Sequence, residues 1–449
     1  MSDTNQNATS ATSKITTSSI SPSIAIIGLG YVGLPLAVAL ARQFSVIGFD
    51  LDDKRINQLK EGYDRTLEIE KEVLQNTTLK FTSQAHELHH QDIYIVTVPT
   101  PVTQDNQPDL VPLEKASETV GRALSKNAIV VFESTVYPGV TEEFCGPILE
   151  KFSGLKSGQD FFLGYSPERI NPGDKEHTVD RITKVVSGQT AEVAEKLKQV
   201  YGAINNGNIF VARNIKAAEA AKVIENAQRD INIAFINEIA TIVNKLGLSI
   251  YDVLDAANTK WNFLNFKPGL VGGHCIGVDP YYLAHCARKL EHEPEVILAG
   301  RRINENMGAF IAQEIHQKLL PNHTQEIGTQ NTTRILVLGL TFKEDIPDLR
   351  NTKVIDVIQE LKTLGHSVDV HDSFADPIEA KKYYGLNLLK NFEGIGDYDC
   401  VVGAVAHHHY LSLSVEDFQQ LLRPQGFIAD IKNMWRTIQF PNEVRYWTL

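Results

Sequence analysis

One cysteine in this chain stands in a setting that suits covalent chemistry. Cys275 lies within residues 268–282, which read P-G-L-V-G-G-H-C-I-G-V-D-P-Y-Y, and it follows the glycine pair Gly272 and Gly273. Paired glycines allow positive φ and let a ligand approach the backbone closely. A thiol in such a loop can be attacked or covalently loaded, whereas a buried structural cysteine is inert. The alternative interpretation is a small buried hydrophobic side chain beside an ordinary turn.

A second candidate site is the glycine-rich turn at residues 28–33, which read G-L-G-Y-V-G. An apolar stretch at 23–27 predicts a buried strand before it, and residues 34–43 predict a helix after it. In this context Gly28 makes the tight turn, Gly30 lets the backbone approach a pyrophosphate, and Gly33 lets the helix pack on the strand. The turn therefore predicts dinucleotide binding.

An acidic residue follows this turn at the spacing that discriminates between nicotinamide cofactors. The predicted strand 45–49 ends on Asp50. A carboxylate there accepts from a ribose 2′-hydroxyl and repels a 2′-phosphate, so we expect NAD rather than NADP. Arg55 lies five residues further on and favours the opposite choice, but one arginine does not cancel a correctly placed carboxylate.

Polar residues also follow the later strands of this unit. Thr100, Thr135 and Glu168 come after predicted strands at 92–98, 128–132 and 161–164. Strands that alternate with helices predict a doubly wound sheet, whose ligand site lies beyond the carboxyl ends of its strands. We therefore place these three residues at the site; for the threonines, turn or capping chemistry is the alternative.

The elements that must position these residues include one long helix, predicted over 214–246. Lys222, Asn226 and Arg229 recur at i, i+4 and i+7, so their side chains share one face. Interleaved alanines predict close packing against another helix. The alternative for the polar stripe is a solvated surface. A helix of this length between two domains is also a candidate dimer interface.

A second α/β unit follows a predicted linker at 321–333. Strands at 334–339, 367–371, 400–404 and 427–429 alternate with helical sequence, and no second G-x-G-x-x-G occurs. We therefore expect this unit to bind something other than a dinucleotide, with Lys343, Arg350 and Lys432 supplying positive charge. The predicted fold class is α/β, with two doubly wound Rossmann-like domains joined by a long central helix and a helical dimerisation region.

These expectations give four segments. They are a disordered tail (1–22), an NAD-binding Rossmann domain (23–212), a central helical dimerisation domain (213–320) and a C-terminal domain (321–449) for a ligand other than a dinucleotide.

Composition restricts the partners. The chain has 449 residues, 43% of them hydrophobic, and a formal net charge of −12, which disfavours nucleic-acid binding. The four cysteines are scattered, which indicates a reducing compartment. We find no apolar stretch long enough for a membrane span and expect a cytoplasmic protein. Histidines at 86, 89, 90 and 407–409 lack partners at metal-ligand spacing, so we interpret them as surface residues and expect no metal.

Taken together, the motifs resemble the UDP-glucose/GDP-mannose dehydrogenase family over nearly all of residues 23–449. They are GLGYVGLPLA, VPTP, ESTVYPG, GYSPERINPGD, AAKVIENAQRD, PGLVGGHCIGVDPYY and GLTFKEDIPDLRNT, in the family's order. The residues of these motifs are most similar to those of the UDP-N-acetylhexosamine 6-dehydrogenases of capsule and O-antigen synthesis, including the Vi-polysaccharide type.

This resemblance implies a four-electron oxidation of a sugar C6 from alcohol to carboxylate with two NAD⁺ in succession. It implies that Cys275 is the nucleophile, that Lys222 and Asn226 stabilise negative charge on the C6 oxygen, and that Thr135 lies at the reaction centre. Asp279 would accept a proton through water, although Lys222 could share that role. Glu168 would help to activate the hydrolytic water.

The resemblance also implies two sets of binding residues. Those for NAD are Gly28, Gly30, Tyr31, Val32, Gly33, Asp50, Arg55, Thr100, Thr135 and Arg350. Those for the UDP-sugar, whose binding domain would be 321–449, are Arg169, Ile170, Lys222, Asn226, Arg229, Phe342, Lys343 and Lys432.

Departures from the UDP-glucose enzymes bear on the substrate. Pro172 stands where those enzymes carry a second glutamate, and His274, Gly277 and Val278 replace their usual loop residues. These differences favour a 2-acetamido sugar without separating GlcNAc, GalNAc and ManNAc. The alternatives are UDP-glucose or GDP-mannose oxidation, a non-catalytic nucleotide-sugar-binding protein, and a two-electron hydroxyacid dehydrogenase, which leaves Cys275 unexplained.

Overall fold

The structure is a computed structural model that describes residues 21–103, 105–169, 181–273, 276–320, 333–392 and 396–449. Two predicted site residues, Cys275 and Ile170, lie outside these ranges. Pro172, His274 and most of the predicted tail and linker lie outside them as well.

The strands of the N-terminal unit are β1 (Ser23–Ile27), β2 (Ser45–Phe49), β3 (Lys80–Thr82), β4 (Ile93–Val96), β5 (Ile129–Phe132), β6 (Phe162–Tyr165), β7 (Lys184–Gly188) and β8 (Ile209–Val211). They form one sheet in the order β3-β2-β1-β4-β5-β6-β7-β8, in which only the β6–β7 pair is antiparallel. Ala25 and Ile27 enter one buried cluster, and Ile24 and Ile26 enter another. The uninterrupted apolar sequence of β1 is therefore buried on both faces, as parallel strands usually are.

The helices of this unit are α1 (Gly33–Ala41), α2 (Asp53–Lys60), α3 (Lys71–Asn76), α4 (Val111–Ala123), α5 (Gly146–Ser153) and α6 (Ala191–Gly202), with a 3₁₀ turn at Ala85–Leu88. A π-helical segment, Val140–Cys145, lies directly before α5. Gly139 precedes this segment with φ of 102°, which only glycine adopts readily.

The central region is built on α7 (Ile215–Lys245), which is followed by α8 (Ile250–Ala257), α9 (Asp279–Lys289) and α10 (Glu295–Leu319). Asn214 caps α7 by accepting a hydrogen bond from the Ala217 amide, and α7 contains neither glycine nor proline. Buried Ala227 and Ala234 let α10 approach closely, and Gly300 of α10 lies against Ala234. The predicted helix at 214–246 is confirmed with small shifts of its ends.

The C-terminal unit has the strands β9 (Arg334–Leu338), β10 (Ser367–His371), β11 (Tyr398–Gly403), β12 (Leu422–Asp430) and β13 (Arg445–Thr448). They form a parallel sheet in the order β10-β9-β11-β12-β13. Its helices are α11 (Val354–Thr363), α12 (Pro377–Tyr384), α13 (His408–Leu411) and α14 (Val415–Leu421). Alternate residues of β9 again enter two cores, one with Ile335 and Val337 and the other with Leu336 and Leu338.

The predicted fold class is confirmed, with two parallel-rich α/β sheets and a helical centre between them. The short strands β3, β8 and β13 were not predicted, because three or four residues give too little pattern to recognise. Across the described ranges, none of the helices has both the length and the apolar character that crossing a bilayer requires.

Candidate active site

Three of the predicted catalytic residues meet where α7 faces the start of α9. The Asn226 amide donates to Oδ2 of Asp279 at 2.5 Å, and Nζ of Lys222 lies 3.9 Å from the same oxygen. All three side chains are at least nine-tenths buried. Asp279 is the first residue of α9, so its place depends on where that helix begins. The structure thus brings together an ammonium group, an amide donor and a carboxylate.

Burial raises the pKa of Asp279 to about 6, although the charges of Lys222 and Arg229 and the hydrogen bond from Asn226 oppose the shift. A carboxylate with a pKa near 6 is ionised at neutral pH and can still accept a proton. Arg229 itself is exposed and acts on Asp279 through its charge.

Glu168 belongs to a buried ionic cluster that the sequence did not reveal. Nζ of Lys184 donates to Glu168 at 2.8 Å and to Glu133 at 2.7 Å, and Tyr201 donates to Glu133. Burial raises the pKa of Glu133. Burial alone would lower the pKa of Lys184, but its partners Glu133 and Glu168 raise it. Lys184 therefore fixes the orientation of Glu168 and favours its ionised form.

Arg169 connects the Glu168 segment to α7. Its guanidinium contacts both carboxylate oxygens of Glu225, at 3.2 and 2.8 Å, and donates to the Thr183 carbonyl. Such two-point pairing fixes a planar group more firmly than a single contact does. The predicted substrate residue Arg169 thus lies beside the helix that carries Lys222.

The glycine-rich turn has the geometry that a dinucleotide requires. Gly28 has φ of +98°, and a Cβ on Gly33 would lie 1.9 Å from the Gly28 carbonyl oxygen. A Cβ on Gly30, in contrast, would meet nothing within 4 Å, so space remains where a pyrophosphate would lie. Val32 is the N-cap residue of α1, whose N-terminus favours an anion. These residues fit NAD.

Asp50 and Arg55 flank this turn in different ways. The half-buried Asp50 carboxylate follows β2 and accepts from the Leu29 amide at 2.9 Å. Arg55 is only 1% exposed, donates to the Leu29 carbonyl and pairs with Asp64 at 2.8 Å. The structure therefore places Arg55 beneath the turn, where it supports Leu29 from behind.

Thr100 and Thr135 are half-buried and lie after β4 and β5, at the carboxyl ends of adjacent strands. Helix α9 packs beside the first of these loops, since the Tyr282 hydroxyl donates to the Pro101 carbonyl at 3.1 Å. The loops with Thr100 and Thr135 therefore border the same helix that begins with Asp279.

The C-terminal unit closes over this region from the other side. The Arg350 guanidinium lies 5.1 Å from the centre of the Tyr31 ring and pairs with Asp348. A Cβ on Gly273 would lie 2.8 Å from the Phe342 ring, so that ring rests on the loop of residues 268–282. Burial raises the pKa of Glu68 in the N-terminal unit to about 7 against the opposing charge of Lys343, and Lys432 is exposed just beyond β12.

Two further positioning contacts were missed. Asn351 holds Gly273 at both main-chain groups, because its carbonyl accepts from the Gly273 amide and its side chain donates to the Gly273 carbonyl at 2.8 Å. Glu219, fully buried on α7, accepts from the amides of Gly139 and Thr141 at 2.6 and 2.9 Å. An acid three residues before Lys222 was the available signal for Glu219; Asn351 offered none.

The other cysteines make poor nucleophiles. Burial raises the pKa of Cys145 to about 12, raises that of Cys400 further, and also raises that of the half-buried Cys286. A thiol that stays protonated at neutral pH neither attacks an aldehyde readily nor binds metal. Cys275 lies outside the described residues, so its role stays a prediction from sequence.

One histidine prediction is wrong. His407 is fully buried, and its ring bonds to Asp372 at 3.0 Å, so it is no surface residue. Because His407 belongs to a polar triplet, the sequence did not indicate that it is buried shortly after β11. His408, His409, His86, His89 and His90 are exposed. The described ranges contain no group of three His, Cys, Asp or Glu residues arranged to hold a metal ion.

Models of three domains of one protein family match this chain in sequence order. The NAD binding domain of the UDP-glucose/GDP-mannose dehydrogenase family matches residues 22–205, its central domain 216–306 and its UDP binding domain 336–437. This chain belongs to that family. It is therefore an NAD-using oxidoreductase that acts on a nucleotide sugar, in agreement with the resemblance read from the motifs.

Individual relatives cover nearly the whole chain. Protein CapL of Staphylococcus aureus is 54% identical over 95% of this chain and 99% of its own. The UDP-N-acetyl-D-glucosamine 6-dehydrogenase of Pseudomonas aeruginosa is 50% identical over 91% of this chain and 96% of its own. Among solved structures, the UDP-D-ManNAc dehydrogenase of Pyrococcus horikoshii is similar, with a TM-score of 0.83 and 30% identity over 94% of this chain and 98% of its own.

Proposed function

We propose that this enzyme oxidises C6 of a UDP-N-acetylhexosamine, UDP-GlcNAc or UDP-GalNAc, to the uronic acid for surface polysaccharide synthesis. The observation that carries the substrate class is the near-full-length similarity to relatives named UDP-N-acetyl-D-glucosamine 6-dehydrogenase, at 50% and 48% identity. The buried Lys222–Asn226–Asp279 set is suited to the chemistry. Oxidation of UDP-glucose or GDP-mannose is the alternative within the family.

The first oxidation converts the C6 alcohol to an aldehyde. Bound NAD⁺ supplies the hydride acceptor for this step and for the later one. The hydroxyl proton passes through water to Asp279, whose pKa near 6 suits a base at neutral pH. The Lys222 ammonium and the Asn226 amide stabilise negative charge on the C6 oxygen, and Lys222 remains the alternative base.

The second oxidation requires a nucleophile, and we assign that role to Cys275. Its thiolate adds to the aldehyde carbon to form a thiohemiacetal, and loss of the second hydride gives a thioester. Water then attacks the thioester, so that the carboxylate forms and the thiol is regenerated. Glu168, held by Lys184 at 2.8 Å, orients that water. Asn351 and Phe342 support the cysteine loop at Gly273.

The units of the molecule divide this work. We infer that residues 23–212 bind NAD, that 213–320 carry the catalytic helix and that 321–449 bind the UDP group, which Phe342, Lys343 and Lys432 would contact. Arg169 and Arg229 would meet the substrate from the catalytic side. The Leu29 and Asp52 amides orient the two oxygens of Asp50, and this half-exposed carboxylate would accept from a ribose hydroxyl.

We also propose that two copies associate through α7. Ile224, Phe235, Ile242 and Leu246 are 52, 55, 49 and 68% exposed and recur at i, i+11, i+18 and i+22, on one face of the helix. A contiguous apolar stripe on a helix indicates a binding surface. Phe235→Glu should give a monomer by sedimentation, whereas Lys245→Glu at the end of α7 should not. Dimers that persist in Phe235→Glu would exclude this face.

The experiment that tests the reaction counts NADH formed per molecule of limiting substrate. UDP-GlcNAc, UDP-GalNAc, UDP-ManNAc and UDP-glucose are compared, with Cys275→Ser as the variant and Cys286→Ser as its matched control. We expect two NADH from an acetamido sugar, a loss of the carboxylate product in Cys275→Ser, and no change in Cys286→Ser. One NADH per substrate with Cys275→Ser unaffected would overturn the thioester route, and a preference for UDP-glucose would overturn the substrate class.

A further inference from the structure

The loop that follows β9 is held by two buried side chains from the neighbouring strands. Strand β9 lies between β10 and β11 in the sheet. Asp372 comes directly after β10, and His407 comes four residues after β11. The carboxyl ends of parallel strands meet at one edge of a sheet, where ligands bind. Asp372 and His407 therefore bracket residues 340–345 at the ligand edge of the C-terminal sheet.

Asp372 binds main-chain groups on both sides of this edge. Its Oδ2 accepts from the amides of Leu340 and Thr341 at 2.5 and 2.9 Å, and its Oδ1 accepts from Phe374 and Ala375 at 2.8 Å each. Burial alone would raise the pKa of Asp372, but the bonds from His407 and from these amides lower it to about 2. The carboxylate is therefore ionised and can only accept hydrogen bonds.

This network assigns the tautomer of His407. Its Nε2 lies 3.0 Å from the Asp372 Oδ2, so Nε2 carries the proton and donates. Its Nδ1 accepts from the Asp345 amide at 2.9 Å. The neutral ring thus connects the start of the loop, through Asp372, with its end at Asp345. The groups that face the ring are Asp372, Asp345, Thr341, Phe374, His371 and Tyr410.

The loop needs such support because its end has an unfavourable backbone conformation. Asp345 has φ of 58°, in the left-handed region that residues other than glycine avoid. Between the two anchored ends lie Phe342, which rests on Gly273, and Lys343, whose charge reaches Glu68. The loop therefore presents to the cleft two residues that we assign to the substrate.

We propose that His407 and Asp372 are positioning residues that fix residues 340–345 in the conformation that binds the nucleotide sugar. His407 is fully buried and Asp372 is 6% exposed, so neither reaches the substrate itself. Their effect falls on substrate affinity, while the groups around Asp279 retain the chemistry. This inference rests on the proposed function for the identity of the substrate.

The test uses variants that remove the two bonds of His407 separately. The amide oxygen of His407→Asn can still accept from Asp345, and the longer amide of His407→Gln can still donate to Asp372. His407→Phe keeps the ring and loses both bonds. The exposed neighbour supplies the matched control, His409→Asn.

We expect His407→Phe to raise the KM for the UDP-sugar and the Kd for UDP about ten-fold, because each lost buried bond weakens the loop. His407→Asn and His407→Gln should each give about three-fold. The kcat at saturation and the KM for NAD should stay within two-fold in all three variants, and His409→Asn should match the unmodified enzyme.

Equal KM and UDP Kd values in all three folded variants would overturn the proposal, and so would a fall in kcat with the affinities unchanged. If His407→Phe lowers the Tm so far that it does not fold, His407→Asn and His407→Gln decide. Failure of the proposed function is distinguishable, because the unmodified enzyme would then oxidise none of the UDP-N-acetylhexosamines. UDP binding by calorimetry still tests the positioning role in that case.

Discussion

The two α/β units share one arrangement at the end of their first strand, a glycine turn whose next amide donates to a distant acid, but they use it differently. In the N-terminal unit, Gly28 has φ of 98° and the Asp50 carboxylate accepts from the Leu29 amide. In the C-terminal unit, Gly339 has φ of 99°, and Asp372 accepts from the Leu340 amide. Both acids follow the strand that pairs with the first one on its outer side.

The two units differ in the residues that follow the turn. Helix α1 begins at Gly33, close to the turn, whereas α11 begins only at Val354. The first unit therefore offers a helix N-terminus and an open glycine, which suit a pyrophosphate. The second offers a loop with an aromatic and a basic side chain, held by a buried histidine. We infer that one strand–turn–acid arrangement serves a dinucleotide in one unit and a nucleotide sugar in the other.

The largest effect is expected for a residue that serves the reaction itself and neither of the two ligand-binding units. Lys222→Met removes the ammonium group 3.9 Å from Asp279, so kcat should fall about 10²–10³-fold. The Kd for NAD and the Kd for UDP should change little, because Lys222 lies on the central helix α7 and in neither outer unit. Stopped-flow measurement of NADH formation and calorimetry of both ligands check this.

Lys216→Met is the matched control for this variant, since Lys216 lies on the same helix and is exposed. A Lys222→Met enzyme with normal kcat and weakened UDP binding would move Lys222 from the chemistry to substrate binding.

The sequence predicted the glycine turn and acid of the N-terminal sheet because the evidence for them is local. The apolar stretch before Gly28, the glycine spacing and Asp50 all lie within about thirty residues, as P-loop-like and Rossmann turns require. The long helix was equally readable from its uninterrupted pattern, and the structure adds that Asn214 caps it. These features need no knowledge of distant contacts.

What the sequence concealed depends on partners far along the chain. Lys184 begins a strand of otherwise ordinary residues, and its two carboxylate partners lie 51 and 16 residues away. His407 belongs to a polar triplet, and only the pairing of β11 with β9 buries it beside Asp372. Side-chain burial of this kind is set by tertiary packing, which a single sequence does not display.

The second prediction tests the glycine turn of the N-terminal unit by contrasting two neighbours. Gly33→Ala would place a methyl group 1.9 Å from the Gly28 oxygen and 2.4 Å from Thr97 Oγ1, so we expect a loss of about 1–3 kcal/mol of folding free energy. Gly30→Ala meets no protein atom within 4 Å. It should keep its Tm and raise the KM for NAD, because the methyl group occupies space left for the pyrophosphate.

Thermal unfolding and NAD titration read these two variants, and UDP affinity serves as the internal control. A Gly30→Ala enzyme with unchanged NAD affinity would place the pyrophosphate elsewhere.

The third prediction contrasts the titration of the buried acids. Asp279 and Glu219 each have a pKa raised to about 6 by burial, whereas that of Asp372 is lowered to about 2. The kcat/KM should therefore fall about ten-fold per pH unit below pH 6, as Asp279 takes up its proton. Asp279→Asn should remove this dependence along with most activity, and Glu219→Gln should keep it. If Asp279→Asn kept the fall in kcat/KM below pH 6, another group would cause this pH dependence.

The free energy of unfolding changes in the opposite direction to kcat/KM over the same pH range. The folded protein holds the protons of Asp279 and Glu219 up to about pH 6, while the same carboxyl groups in the unfolded chain lose theirs at their ordinary pKa values of 3.8 and 4.5. The folded state binds more protons in this window, so these two groups lower the free energy of unfolding as the pH rises through it. Asp372 contributes stability above pH 3.8 that is lost as the pH falls towards 2.

The smallest effect expected concerns the contact that joins the two units directly. Arg350 places its guanidinium 5.1 Å from the Tyr31 ring, and its side chain is 45% exposed. Cation–π contacts at such exposed positions contribute about 0.5–1 kcal/mol, so Arg350→Met should weaken NAD binding only about three-fold. Lys cannot form the two-point pairing that orients Arg350 on Asp348, so Arg350→Lys should recover only part of this.

A double-mutant cycle of Arg350→Met with Tyr31→Leu isolates this contact from what each residue does alone. We expect a coupling energy of about 0.5–1 kcal/mol in the Kd for NAD. Such coupling would mean that the C-terminal unit contributes to cofactor binding through the turn of the N-terminal one. A coupling of zero would mean that the two strand–turn–acid devices bind their ligands independently, and that Arg350 acts on NAD, if at all, without Tyr31.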